Sequence, residues 1–157
     1  MKKLVVYFSA TGTTRDVAKK LVQAIEADIF EIVPAKPYTA RDLNWMDKNA
    51  RTTLEAKQEN IRPEMANKLK DANEYDTIYL GFPIWWYTAP KIVNTFLESI
   101  DTSNKTIILF ATSGGSGLGN TSDDLKKSCD SRTKIVSGTI LNAGQDISSL
   151  KQWAEKY

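Results

Sequence analysis

Five consecutive apolar residues, Leu4-Val5-Val6-Tyr7-Phe8, run directly into Ser9-Ala10-Thr11-Gly12-Thr13-Thr14, and a helical pattern follows with Val17, Ala18, Leu21, Val22 and Ile25 on one face. An unbroken apolar run reads as a strand buried on both faces, which is the habit of parallel sheets. The polar loop behind it opens a helix, and a helix N-terminus offers free backbone N–H groups and the positive end of a dipole. Such an end attracts phosphate, and Ser9, Thr11, Thr13 and Thr14 add hydroxyl donors on the same loop. Taken alone, the loop also suits an empty turn with Thr13 as N-cap.

The same alternation continues. Strand patterns recur at Asp28–Val33, Asp76–Phe82, Lys105–Thr112 and Lys134–Ile140. Helical patterns fall between them: around Glu64–Asn73 behind Pro63, after Pro90 with Ile92, Val93, Phe96, Leu97 and Ile100 on one face, from Thr121–Ser122 with Asp123 and Asp124 in the first turn, and from about Ser148. Strand and helix in regular alternation predict an α/β fold, a five-stranded parallel sheet in the order 2-1-3-4-5 with helices on both faces. The 157 residues suit a single domain over 1–157 with an insertion at about 35–63, a stretch too long for an ordinary connection and with a helical pattern over Ala40–Gln58. That stretch reads either as a flap near a ligand or as a solvated excursion.

In a doubly wound sheet, ligands sit beyond the carboxyl ends of the strands where the strand order reverses. The rule brings three loops together: 9–14, 83–90 and 112–120. The second reads Pro83-Ile84-Trp85-Trp86-Tyr87-Thr88-Ala89-Pro90, an aromatic ledge bounded by two prolines that fix backbone angles. The third reads Thr112-Ser113-Gly114-Gly115-Ser116-Gly117-Leu118-Gly119-Asn120. Its glycines suit close approach of main chain to a ligand with N–H groups pointing inward, or a flexible surface loop.

Composition excludes several chemistries. There is no histidine and one cysteine, Cys129, so a His-based zinc site, a Ser-His triad, a Cys-His pair and an internal disulfide are ruled out. No catalytic side chain and no metal site is expected. The net charge of +2, from 21 basic and 19 acidic residues, gives no reason to expect nucleic acid. Lys2 and Lys3 before an apolar run look like the opening of a leader, but the run is shorter than the ~7–15 residues one needs. Nothing approaches the ~18 apolar residues of a membrane span. A cytoplasmic protein without a membrane partner is the expectation. Cys129 reads as an inert thiol, and Trp45 and Trp153 as packing residues.

Over Ser9–Thr14, Gly81–Pro90 and Thr112–Gly119, and in element order along the chain, the sequence resembles the flavodoxin family. It is closest to the subgroup whose second loop reads Pro-Ile-Trp-Trp and whose third reads Thr-Ser-Gly-Gly-Ser-Gly. The resemblance implies FMN as cofactor. Ser9, Thr11, Gly12, Thr13 and Thr14 would hold its phosphate, while Pro83, Ile84, Trp85, Trp86 and Tyr87 would lie along the ring. Thr112, Ser113, Gly114, Gly115 and Gly117 would line the other side. It further implies electron transfer to a redox partner protein or a small-molecule acceptor. The alternative is an NAD(P)H-dependent reductase of quinones or other small acceptors. Many flavodoxins are strongly acidic and this chain, at +2, is not, which argues against docking by bulk charge and leaves docking through a local acidic patch open. Which of Trp85, Trp86 and Tyr87 faces the ring is left open by the sequence.

Overall fold

The computed structural model describes residues 2–115, 117–142 and 144–157. Five strands form one sheet: β1 (Lys2–Tyr7), β2 (Asp28–Glu31), β3 (Tyr75–Pro83), β4 (Thr106–Thr112) and β5 (Lys134–Ile140). Every neighbouring pair is parallel and the order is β2-β1-β3-β4-β5, as the alternation predicts. The strands are connected through α1 (Thr13–Ile25), α2 (Arg51–Ala56), α3 (Lys91–Glu98) and α4 (Thr121–Lys126), and α5 (Ile147–Ala154) closes the chain. No helix among the described residues is long and apolar enough to cross a membrane.

Alternation along β1 splits the core in two. Val5 and Tyr7 point to the face covered by α1 and α5, where they meet Val17, Leu21, Tyr79, Phe110 and Trp153. Leu4, Val6 and Phe8 point to the opposite face and pack with Phe82, Ile92, Phe96 and Leu125. Successive side chains in a strand leave on opposite sides, so a continuous apolar run feeds both layers at once. Trp153 is buried against Tyr79 and Phe110 and donates its indole N–H to Thr139 Oγ1 at 3.0 Å, which is the packing role expected of it.

The crossover from β2 to β3 departs from expectation. The helix predicted at Glu64–Asn73 is absent: Met65 forms an isolated antiparallel bridge with Pro34, and a single 3-10 turn covers Ala72–Glu74. The helical pattern over Ala40–Gln58 yields only the 6-residue α2, preceded by turns. Hydrogen bonds explain both outcomes, long-range ones in the first case and local ones in the second. Ala35 N–H donates to Glu64 O and Ala66 N–H to Val33 O. Asn67 accepts from Val33 N–H at 3.2 Å and donates to Glu31 O at 2.7 Å. These bonds serve backbone groups just beyond the edge strand β2, and an extended chain supplies them where a helix could not. Upstream, Thr39 and Asp42 exchange side-chain bonds with each other's backbone N–H. Side chains of this kind compete with helix and favour turns.

Candidate functional site

The first loop leaves β1 at the sheet's carboxyl edge. Gly12 is the N-cap of α1 with φ 100, a left-handed angle that glycine adopts without the penalty of a Cβ. The cap therefore falls one residue earlier than Thr13, which is the first helical residue and is exposed. No side chain caps this helix, since its N-cap glycine has none, and Ser9 Oγ accepts from Gly12 N–H at 3.0 Å. Thr14 turns inward, buried, and shares a 2.8 Å hydrogen bond with Thr112 Oγ1, tying the first loop to the third.

The second loop is a tight hairpin. Trp85 N–H donates to Thr88 O at 2.9 Å, and Thr88 N–H returns to Trp85 O at 3.3 Å. Trp86 and Tyr87, the two residues between, have φ 51 and φ 66. Two consecutive left-handed residues match the twist of a two-residue hairpin, a place usually held by Asn and Gly. The neighbouring tryptophans consequently part company. Trp85 packs its ring edge-on to Phe8 and Tyr38, at 5.6 Å and 5.3 Å between centroids. Trp86 and Tyr87 are thrust outward, 38% and 70% exposed. Two further ties hold the turn in place. Thr88 Oγ1 donates to Asp124 Oδ2 at 2.6 Å, and a Cβ on Gly119 (φ 54) would lie 2.7 Å from Tyr87 O.

In the third loop, Ser113 N–H donates to Asn142 Oδ1 at 2.9 Å and Gly115 N–H to Ser113 Oγ at 3.2 Å. Ile84 N–H donates to Thr112 O at 3.0 Å, joining the second loop to the third. A cavity of about 630 Å³ opens where the three loops converge. Of the residues singled out from the sequence, Thr11, Thr14, Pro83, Ile84, Trp85, Trp86, Tyr87, Thr112, Ser113, Gly114 and Gly115 line it. Ser9, Gly12, Thr13 and Gly117 do not: the first two shape the turn, and the other two are exposed. Ser116 lies outside the described residues.

Four lining residues escaped the sequence reading: Ala10, Leu43, Trp45 and Thr52. Trp45 was expected to pack, yet it is 70% exposed at the cavity. A signal was present in Asn44-Trp45-Met46-Asp47, an apolar pair flanked on both sides by turn-forming residues.

Arg15 bonds Glu31 at 3.1 Å, which raises the guanidinium further above its ordinary value. Burial raises the Tyr7 hydroxyl nearby. Cys129 is remote from the cavity lining and its thiol is pushed up to about 11 by burial, as suits an unreactive cysteine. No cluster of metal-ligating side chains occurs among the described residues. The arrangement is a mostly apolar slot with hydroxyls and a helix N-terminus at one end.

Comparison with known proteins agrees with this architecture. No curated protein matches the sequence. A crystal structure of a candidate flavoprotein from Bacteroides eggerthii is 41% identical, with a TM-score of 0.92 over 99% of this chain and 96% of that one. A second, from Bacteroides uniformis, is 43% identical, with a TM-score of 0.84 over 98% and 97%. A flavoprotein from Lactobacillus acidophilus, solved in complex with FMN, shares the fold at 21% identity, with a TM-score of 0.71 over 98% of both chains. The family model described as Flavodoxin matches residues 2–157, and the chain belongs to the flavodoxin family.

Proposed function

We propose that the protein binds FMN in this slot and serves as an electron-transfer flavoprotein. The observation that carries the reading is the convergence of all three loops on one cavity, with the hydroxyl-rich end tied to the glycine-rich wall through Thr14 and Thr112. The site fits the cofactor's two halves. An uncapped helix N-terminus with Thr11 beside it suits a phosphate, and Ser9, Gly12 and Thr13 shape the turn that presents them. Pro83, Ile84, Trp86 and Tyr87 on one side and Ser113–Gly115 on the other suit a flat ring. The Lactobacillus acidophilus complex supports the same choice of ligand.

Both halves are needed. Hydrogen bonds to a charged group contribute about 1.5–3 kcal/mol each, while micromolar to nanomolar affinity takes roughly 8–12 kcal/mol. Burial of the ring supplies the remainder, with stacking adding about 0.5–1.5 kcal/mol beyond area. When bound, FMN supplies the redox chemistry, and the protein supplies position and electrostatics. Residues 81–90 carry no Lys or Arg, so this wall opposes added negative charge on a ring beside it. A cytoplasmic location and a redox partner, protein or small molecule, belong to the same reading.

Calorimetric titration with FMN and riboflavin tests it. Thr11→Ala should weaken FMN by about 10–100-fold and leave riboflavin unchanged, because only FMN carries phosphate. Equal loss for both ligands would remove the phosphate end from the first loop. Mixing the FMN-loaded protein with NADPH separates carrier from reductase. Rapid bleaching of the flavin absorbance, sustained by added quinone, would replace the carrier assignment with the reductase.

A further inference from the structure

Trp45 and Met46 are 70% and 75% exposed, yet the segment that bears them is tightly fastened. Thr52 Oγ1 and Thr52 N–H both donate to Asp42 O, at 2.8 Å and 3.2 Å, and Thr53 Oγ1 donates to Asp47 O at 2.9 Å. The whole segment is then clasped to the core. Tyr38 donates its hydroxyl to Glu55 Oε1 at 2.5 Å, and Arg51 Nε donates to Glu55 Oε2 at 2.9 Å. The Arg51 guanidinium covers the Tyr38 ring at 3.9 Å and donates through Nη1 to Lys36 O at 2.7 Å. The Tyr38 ring in turn packs against Phe8 and Trp85, the latter in the floor of the slot.

A large indole held in water on a fixed segment, at the mouth of a slot, is an exposed apolar surface in want of a ligand. We infer that Trp45 is a ring-covering residue of this site, and that the Tyr38–Glu55–Arg51 clasp is the positioning device that holds it there. The crossover from β2 to β3 thereby supplies a third wall, and preference for a flat aromatic ring is set there as well as on the Trp86–Tyr87 turn. The inference rests on the flavin reading and makes it more specific: the clasp and Trp45 act on the ring and not on the phosphate.

The test is calorimetric titration of the whole protein with FMN and with riboflavin. Trp45→Ala removes an exposed side chain, so folding should be unaffected, while both ligands should weaken by the same factor, about tenfold. Trp45→Phe should restore most of the loss. Tyr38→Phe should weaken both ligands several-fold in the Trp45 background and have no further effect once Trp45 is Ala. A merely structural role for Tyr38 would give the same loss in both backgrounds. Unchanged affinities in Trp45→Ala overturn the assignment of Trp45, and additive losses overturn the clasp. If the wild-type protein takes up neither ligand, the flavin reading falls and this inference with it. Wild-type uptake with an unaffected Trp45→Ala variant breaks this inference alone.

Discussion

The first and second crossovers of the sheet use their residues in opposite ways. Between β1 and β2 the chain makes a 13-residue helix whose Val17, Ala18 and Leu21 disappear into the core. Between β2 and β3 it makes a 6-residue helix, a string of turns and an extended return, and it leaves Trp45, Met46 and Leu54 in solvent. The first covers a sheet face. The second is held by side-chain hydrogen bonds and ion pairs such as Arg51–Glu55, and although Ala50, Met65 and Leu69 pack inward, Trp45, Met46 and Leu54 are directed at the slot or outward. An element that stabilises the fold and an element that shapes a site thus differ in where their apolar atoms go.

The contrast is broken or sharpened most strongly by one substitution made in both places. Leu21→Ala in α1 should cost about 2–5 kcal/mol in urea unfolding, as expected for a fully buried leucine. Leu54→Ala in α2 should fall within about 0.5 kcal/mol of wild type. Similar losses at the two sites would show that the second crossover carries as much of the fold as the first.

A smaller effect is expected at the Trp86–Tyr87 turn, which also favours the site over local comfort. Tyr87→Gly should raise stability by about 1 kcal/mol by relieving a left-handed angle unsuited to an aromatic residue. The same variant should weaken riboflavin. A gain in stability without loss of ring affinity would place Tyr87 outside the ligand's reach.

A separate effect lies in alkaline solution. Tyr75 donates to Asp28 Oδ2 at 2.7 Å, and this bond first, then burial, pushes its hydroxyl up to about 12. Tyr38 is raised further, by burial first and then by its bond to Glu55. Both hydroxyls lose their protons more readily in the unfolded chain. Their stabilisation is therefore fully present below about pH 10 and declines as pH rises. For Tyr75 the decline ends near pH 12, so Tyr75→Phe should flatten unfolding free energy between pH 10 and 12. Tyr38→Phe should flatten the alkaline limb without that upper limit. Tyr7 and Tyr79 are also raised by burial, so some slope persists in either variant. An unchanged slope in Tyr38→Phe would mean that the clasp is open in solution.

Much of the site was legible because its parts are local. Leu4–Phe8 followed by hydroxyls and Gly12 specifies strand, turn and helix start within a few bonds, and Thr11 and Thr14 arrive at the cavity accordingly. Pro83, Ile84 and the Thr112–Gly115 stretch follow from the ends of two strands whose order the alternation dictates. Trp45 and Thr52 were not legible in this way. Their segment has helical spacing, but Thr39 and Asp42 bond to each other's backbone in a turn, and Asp42 O and Glu55 take Thr52 and Tyr38 as partners that only the folded chain brings near.

The sequence by itself determined the sheet, its order and the edge at which the cavity opens, because apolar runs and periodicity are properties of neighbouring residues. Only the tertiary structure decided between adjacent tryptophans. Trp85 turned inward to meet Phe8 and Tyr38 from distant parts of the chain, and a left-handed turn pushed Trp86 out. It also decided that the second crossover would form a wall of the slot, since the clasp among Tyr38, Glu55 and Arg51 forms only when α2 is seated against the core.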